Sequence, residues 1–149
     1  MRKFLYLLLP ALIFSTSCKE EVDQKAEDRD KIIKYIADNN LNAQSTSSGL
    51  YYSIEAPGSG KRPTVTSDVQ VYYKGTLLDG TVFDESIPQG IWFNLSQVIE
   101  GWQEGIPLFM EGGRGQLFVP SHLAYGAVAR SGIPANSVLI FDIRLIDVR

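Results

Sequence analysis

The apolar residues of this chain follow three rhythms. From Phe4 to Phe14 they form one run. Ile32, Ile33, Ile36 and Leu41 then recur at roughly helical intervals within a charged stretch. That spacing predicts a short helix over about 26–38, ending at the Asn39-Asn40 pair. From Leu50 onward the prevailing period is two. Val69, Val71 and Tyr73 alternate with polar positions, as do Ile91, Phe93 and Leu95, and later Phe141, Ile143 and Leu145. This is the pattern of half-buried strands. Leu50 to Ile54 and Gln116 to Val119 read as two more. One interval breaks the alternation: Val98, Ile99, Trp102, Ile106 and Phe109 lie close to a 3.6 period and predict a single helix over about 98–108.

Turn residues set the boundaries. Asn42 to Gly49 is a polar linker, and the domain boundary is placed there. Asp79-Gly80, between Leu77-Leu78 and Thr81-Val82-Phe83, predicts a hairpin with a type I′ turn. Glu111 to Gly115 stops the helix, and 120–136 reads as a long loop. Antiparallel strands around one short helix make an α+β domain, with a helical extension on its N-terminal side.

The 44% hydrophobic and 11% aromatic content fits a chain with a real core rather than a disordered one. Net charge is −3; without Arg2 and Lys3, 12 basic residues face 17 acidic ones. No basic cluster interleaved with aromatics appears, so nucleic acid is not an expected partner. One cysteine excludes an internal disulfide, and one histidine, His122, excludes a histidine-based metal site. His122 beside Ser121 reads as a surface-loop residue, since no nucleophile motif surrounds it. No metal or cofactor is expected.

The lone Cys18 is explained by what precedes it. Arg2 and Lys3, the run from Phe4 to Phe14, and the small residues Ser15, Thr16 and Ser17 have the three-part layout of a secretory signal. The layout resembles a lipoprotein signal peptide over 1–17, in which Cys18 is acylated, although Ser15 stands where an aliphatic residue is usual. The plainer alternative is a secreted protein with a free thiol. Lys19, Glu20 and Glu21 resemble the surface-export signal of Bacteroidetes lipoproteins, or form a charged tether. Residues 18–48 then read as tether and short helix, the helix being a spacer or loosely packed by default, with a packing helix or a dimer contact as the alternatives. The expected location is the cell envelope, anchored by lipid to the outer membrane, facing either the periplasm or the surface.

The remaining motifs converge on one family. Val71-Tyr72-Tyr73-Lys74-Gly75, Asp79 through Ser86, Val98-Ile99-Glu100-Gly101-Trp102, Leu123-Ala124-Tyr125-Gly126 and Leu139-Ile140-Phe141-Asp142-Ile143 occur in this order. Together they resemble the FKBP-type peptidyl-prolyl cis/trans isomerases over residues 49–149. The resemblance implies a bent antiparallel sheet of five or six strands wrapped around the helix, with a pocket between them. It assigns Trp102 to the pocket floor and Tyr73, Phe83 and Phe141 to its walls, joined by Phe93, Val98 and Ile99. Asp84, Tyr125 and the Ile99 N–H would supply the polar contacts, making Asp84, Tyr125 and Tyr73 the catalytic candidates. Taken alone, Tyr73 or Phe141 would read as core, and Phe93 is evenly poised between core and pocket.

The implied activity is rotation about Xaa-Pro bonds of exported or envelope proteins, by a monomer, with a macrolide as a further ligand. Departures fall on the rim: a shorter stretch between Leu95 and Val98, Ile91 where an aromatic is frequent, and Arg130, Ser131 and Ile133 in the last loop. Two other readings use the same pocket. It could dock proline-containing segments of a partner without turnover, or serve an accessory lipoprotein of a larger envelope assembly.

Overall fold

The structure is a computed structural model that describes residues 16–149, with side-chain surroundings from residue 23. The signal segment 1–17 and the side chain of Cys18 therefore lie outside the described residues, apart from the backbone of 16–18. No helix among the described residues is long and apolar enough to cross a membrane.

Helix α1 runs over Thr16–Asp38, ten residues earlier than the apolar stripe indicates. Its first turns are polar, and periodicity is silent there. Glu, Gln and Lys nevertheless favour helix through low side-chain entropy cost. Lys31–Glu27 and Lys34–Asp38, each at 2.7 Å and four residues apart, support the exposed face.

Among the described residues, seven strands form one antiparallel sheet. They are β1 (Gln44–Ser45), β2 (Tyr51–Ala56), β3 (Asp68–Leu77), β4 (Val82–Glu85), β5 (Ile91–Asn94), β6 (Arg114–Val119) and β7 (Leu139–Val148). Their order is β1-β2-β6-β7-β3-β4, and β5 pairs with the β3 edge beside β4. The long pair β3/β7 is the centre, running from Val69↔Val148 to Leu77↔Leu139. Register shifts at Gln70/Val71 and Gly75/Thr76 in β3, and at Ile54/Ala56 in β2, are bulges that bend these strands.

The strand period divides the residues between two faces. Inside lie Val69, Val71, Tyr73, Leu117, Val119, Phe141, Ile143 and Leu145, packed with Trp102, Ile106 and Phe109. Outside, Phe118, Val138 and Ile140 pack with Ile32 of α1, bordered by Tyr35, Ile36 and Leu41. Of the readings left open for this helix, packing is the one observed: Ile32 is fully buried, and the Tyr35 and Phe118 rings lie 6.0 Å apart. The segment read as linker is also built in, because Gln44 and Ser45 pair with Tyr52 and Tyr51. Polarity misled here: one strand of two residues carries too few side chains to show a period.

Two further local expectations need correction. The 98–108 helix is three pieces: a 3₁₀ turn at Leu95–Gln97, helix α2 over Glu100–Gly105, and a 3₁₀ turn at Ile106–Leu108. Pro107, which has no N–H to donate, sits where the α-helical ladder gives way to the tighter turn. The Asp79-Gly80 hairpin closes through Leu77 N–H to Thr81 O (2.9 Å) and Gly80 N–H to Leu77 O (3.0 Å). Only Gly80 has positive φ, at 86°, whereas a type I′ turn needs it at both central residues. The loop is therefore three residues long, with Asp79 Oδ1 accepting the Thr81 N–H at 2.9 Å.

Candidate functional site

On the inner face, a cavity of about 490 Å³ opens between the sheet and the segment leading into α2. Strand β3 contributes Tyr73, β4 Phe83 and Asp84, β5 Phe93, and β7 Phe141. Val98 and Ile99 precede α2, Trp102 lies on it, and Tyr125 comes from the loop after β6. Every residue named for the pocket from the sequence lines this one cavity, and Gln97 and Ala124 complete it. Ala124 was legible beside Tyr125; Gln97 had no signal, because nothing in a 3₁₀ turn's spacing marks which residue faces inward.

Trp102, 4% exposed, is the base of the cavity. Its ring centroid lies 5.0 Å from Tyr73, 5.4 Å from Phe93 and 5.2 Å from Phe141, with the planes close to perpendicular. Edge-to-face contacts set the positive ring edges against negative ring faces and hold each ring in one orientation. Phe83 meets Phe141 in the same way at 5.6 Å. The Phe83 ring reaches that place across Gly75, where an added Cβ would come within 2.5 Å of its Cζ. The Trp102 indole N–H is buried with no hydrogen-bond partner among the described residues.

The polar contacts lie at the mouth. Tyr73 donates its hydroxyl to Asp84 Oδ2 at 2.6 Å, and Asp84 Oδ1 accepts the Glu85 N–H at 2.9 Å. Burial first, and the Asp84 carboxylate second, push the Tyr73 hydroxyl far above the ordinary tyrosine range. Tyr73 therefore stays a neutral donor. Its strand is pinned to the chain after β4 by the Ser86 hydroxyl, which accepts the Tyr73 N–H at 3.0 Å, and by the Ser86 N–H, which donates to Tyr73 O at 3.0 Å. Tyr125 is 36% exposed at the rim, with the Arg130 guanidinium 5.4 Å from its ring centroid.

His122 lies apart from this cavity, yet it is no free surface-loop side chain. It is half-buried in a 3₁₀ turn at Ser121–Leu123, with Nε2 3.0 Å from Ser48 O. Arrangements of three or more His, Cys, Asp or Glu able to hold a metal ion are absent among the described residues.

The site is an aromatic bowl with a hydroxyl–carboxylate pair at its edge, of a shape that can enclose a small apolar ring. Known proteins resemble the chain that carries it. The sequence model of the FKBP-type peptidyl-prolyl cis-trans isomerases matches residues 60–146. The FKBP-type peptidyl-prolyl cis-trans isomerase FkpA of Aeromonas hydrophila is 44% identical over 135 residues, covering 87% of this chain and 50% of that protein. FkpA of Escherichia coli K12 is 39% identical over 133 residues, covering 88% of this chain and 48% of that protein. The chain thus spans about half the length of the curated relatives it matches. The crystal structure of Escherichia coli FkpA superimposes with a TM-score of 0.76 at 38% identity, covering 88% of this chain and 62% of that one. A peptidyl-prolyl cis-trans isomerase from Pseudomonas syringae gives 0.75 at 30% identity, covering 90% of this chain and 97% of that one.

Proposed function

Because the chain belongs to the FKBP-type peptidyl-prolyl cis-trans isomerases, we propose that its aromatic cavity catalyses rotation about Xaa-Pro bonds of exported or envelope polypeptides. The unaided rotation has a barrier of roughly 18–20 kcal/mol and takes tens to hundreds of seconds. No bond is made or broken, so the reaction asks for neither nucleophile nor metal. It asks for a site that holds the twisted amide better than the planar one.

The observation that carries this reading is the aromatic cluster on Trp102, with ring edges from Tyr73, Phe93 and Phe141 meeting over one buried floor. The proline ring would rest on Trp102 between Phe83 and Phe141. Twisting the amide removes its resonance and the charge separation that resonance carries, so a water-poor bowl favours the twisted form. Tyr125 and the Ile99 N–H would orient the substrate carbonyls. Asp84 acts on the rotating carbonyl through its charge and holds the Tyr73 hydroxyl. A macrolide would occupy the same floor, with Arg130 beside Tyr125 altering its fit at the rim.

The catalytic unit is residues 49–149. The protein is a lipoprotein of a Bacteroidetes-like bacterium, cut before Cys18 and held in the envelope by acyl chains there. The charged start, apolar run and small residues before Cys18 support this part. A protease-coupled assay on an Xaa-Pro peptide tests the activity. Acceleration that a proline-mimicking macrolide suppresses is expected, whereas a rate equal to background rejects catalysis and leaves a binding module. Labelling with a radioactive fatty acid, lost in Cys18→Ser, tests the anchor.

A further inference from the structure

Helix α1 carries one residue that its role as an apolar cover does not explain. Asp28 lies on the inward stripe with Ile32, one turn away, and is likewise fully buried. A carboxylate there is costly to desolvate and is tolerated only when its oxygens are satisfied. They are: Oδ2 accepts the Ser121 N–H at 2.8 Å and the Ser121 hydroxyl at 2.5 Å, and Oδ1 accepts the Gln24 side-chain amide at 2.8 Å. An apolar residue could dock the helix equally well, but it would leave the buried Ser121 N–H and hydroxyl unpaired.

Ser121 is also the hub of the loop that enters the cavity. Its carbonyl accepts the Ala124 N–H at 3.0 Å and the Gly126 N–H at 2.8 Å, bracketing Tyr125. The Gly126 carbonyl in turn accepts the Asn136 N–H at 2.8 Å, closing the far end of the loop. One short path of hydrogen bonds therefore runs from α1, through the single residue Ser121, to both neighbours of a cavity residue.

We propose that Asp28 is a positioning residue for the isomerase site, fixing through Ser121 where Tyr125 stands at the cavity rim. Docking of α1 and order of the catalytic rim are then one event: pulling the helix off the sheet releases Tyr125. This inference rests on the cavity being the isomerase site, but its first readout does not depend on activity.

The test uses the full chain with Asp28→Leu, which keeps an apolar dock but no acceptor, Asp28→Asn, which keeps shape and one acceptor, and Ser121→Ala. Amide hydrogen exchange at Ala124 and Gly126 is followed by NMR, with the β3/β7 ladder as internal control, alongside kcat and KM for an Xaa-Pro peptide. In Asp28→Leu we expect Gly126 to exchange about tenfold faster or more, from loss of charge-assisted bonds, with the ladder unchanged. We also expect kcat/KM to fall several-fold, with Asp28→Asn intermediate. Unchanged exchange at Ala124 and Gly126 in both Asp28→Leu and Ser121→Ala overturns the proposal. An inactive wild-type chain whose Gly126 exchange still responds to Asp28→Leu would reject the isomerase reading while leaving the positioning intact.

Discussion

Tyr72 and Tyr73 are neighbours on β3, and each donates its hydroxyl to a carboxylate of the same partner strand. Tyr72 meets Glu85 at 2.9 Å and Tyr73 meets Asp84 at 2.6 Å. The strand period sends them to opposite faces, and there the likeness ends. Around Tyr72 the outer cavity is the larger, about 690 Å³ against about 490 Å³, and is lined by Glu55, Glu85, Arg114, Asp142 and Arg144. Its charges already have partners: Arg114 pairs with Glu55 at 3.2 Å, and Arg144 lies 5.4 Å from the Tyr72 ring centroid. Around Tyr73 the walls are aromatic rings, and the residue is 7% exposed. What separates the two is their lining, aromatic around Tyr73 and charged around Tyr72.

The comparison can be broken by mutation. The largest expected effect is at the inner floor. Trp102→Leu should lower kcat/KM by roughly 100-fold, since the surface favouring the twisted amide is removed. Circular dichroism should show the sheet retained, at a stability cost of about 2–4 kcal/mol. If the activity survives, the bowl is core and the site lies elsewhere.

Next come the two tyrosines as a matched pair. Tyr73→Phe should cost about 1–1.5 kcal/mol in urea unfolding, as a charge-assisted bond shielded from water is lost. Tyr72→Phe should stay within about 0.5 kcal/mol, because Glu85 is solvated without it. Equal costs would mean that the faces do not differ in the way the ring cluster implies.

Alkaline titration sharpens the same contrast. The folded Tyr73 hydroxyl ionises above the unfolded value of about 10. Its contribution to stability is thus complete below pH about 10 and is lost as pH rises toward and through the folded value. As pH rises above about 10, the wild-type chain should lose more stability than Tyr73→Phe. Absorbance near 295 nm should show one tyrosine fewer among the late-ionising set in that variant.

The smallest effect belongs to the outer ion pair. Arg114→Ala should change stability by less than about 0.5 kcal/mol and leave kcat/KM unaltered, as both partners are more than half exposed. Raising the salt concentration should erase even that.

Much of the inner face was legible in advance. Alternation placed Val69, Val71 and Tyr73 on one side of a strand and Phe141, Ile143 and Leu145 on one side of another, since a period of two is local and survives without knowledge of partners. The motifs around Phe83, Trp102 and Tyr125 pointed to residues that now line one cavity. What could not be read is what depends on distant contacts. No local rule shows that Gly75 clears space for the Phe83 ring, that Asn42 to Gly49 contains a strand, or that Pro107 leaves α2 only six residues long.

The N-terminal part marks the division most clearly. From sequence alone, Ile32 and Ile36 formed a narrow stripe, and Asp28 was one acid among several on a charged helix. Local periodicity fixes which face a helix buries, because it depends only on the angle between successive residues. It says nothing about what that face will meet. Only the tertiary structure places Asp28 against Ser121, 93 positions away, and so ties a charge on the helix to the loop that carries Tyr125.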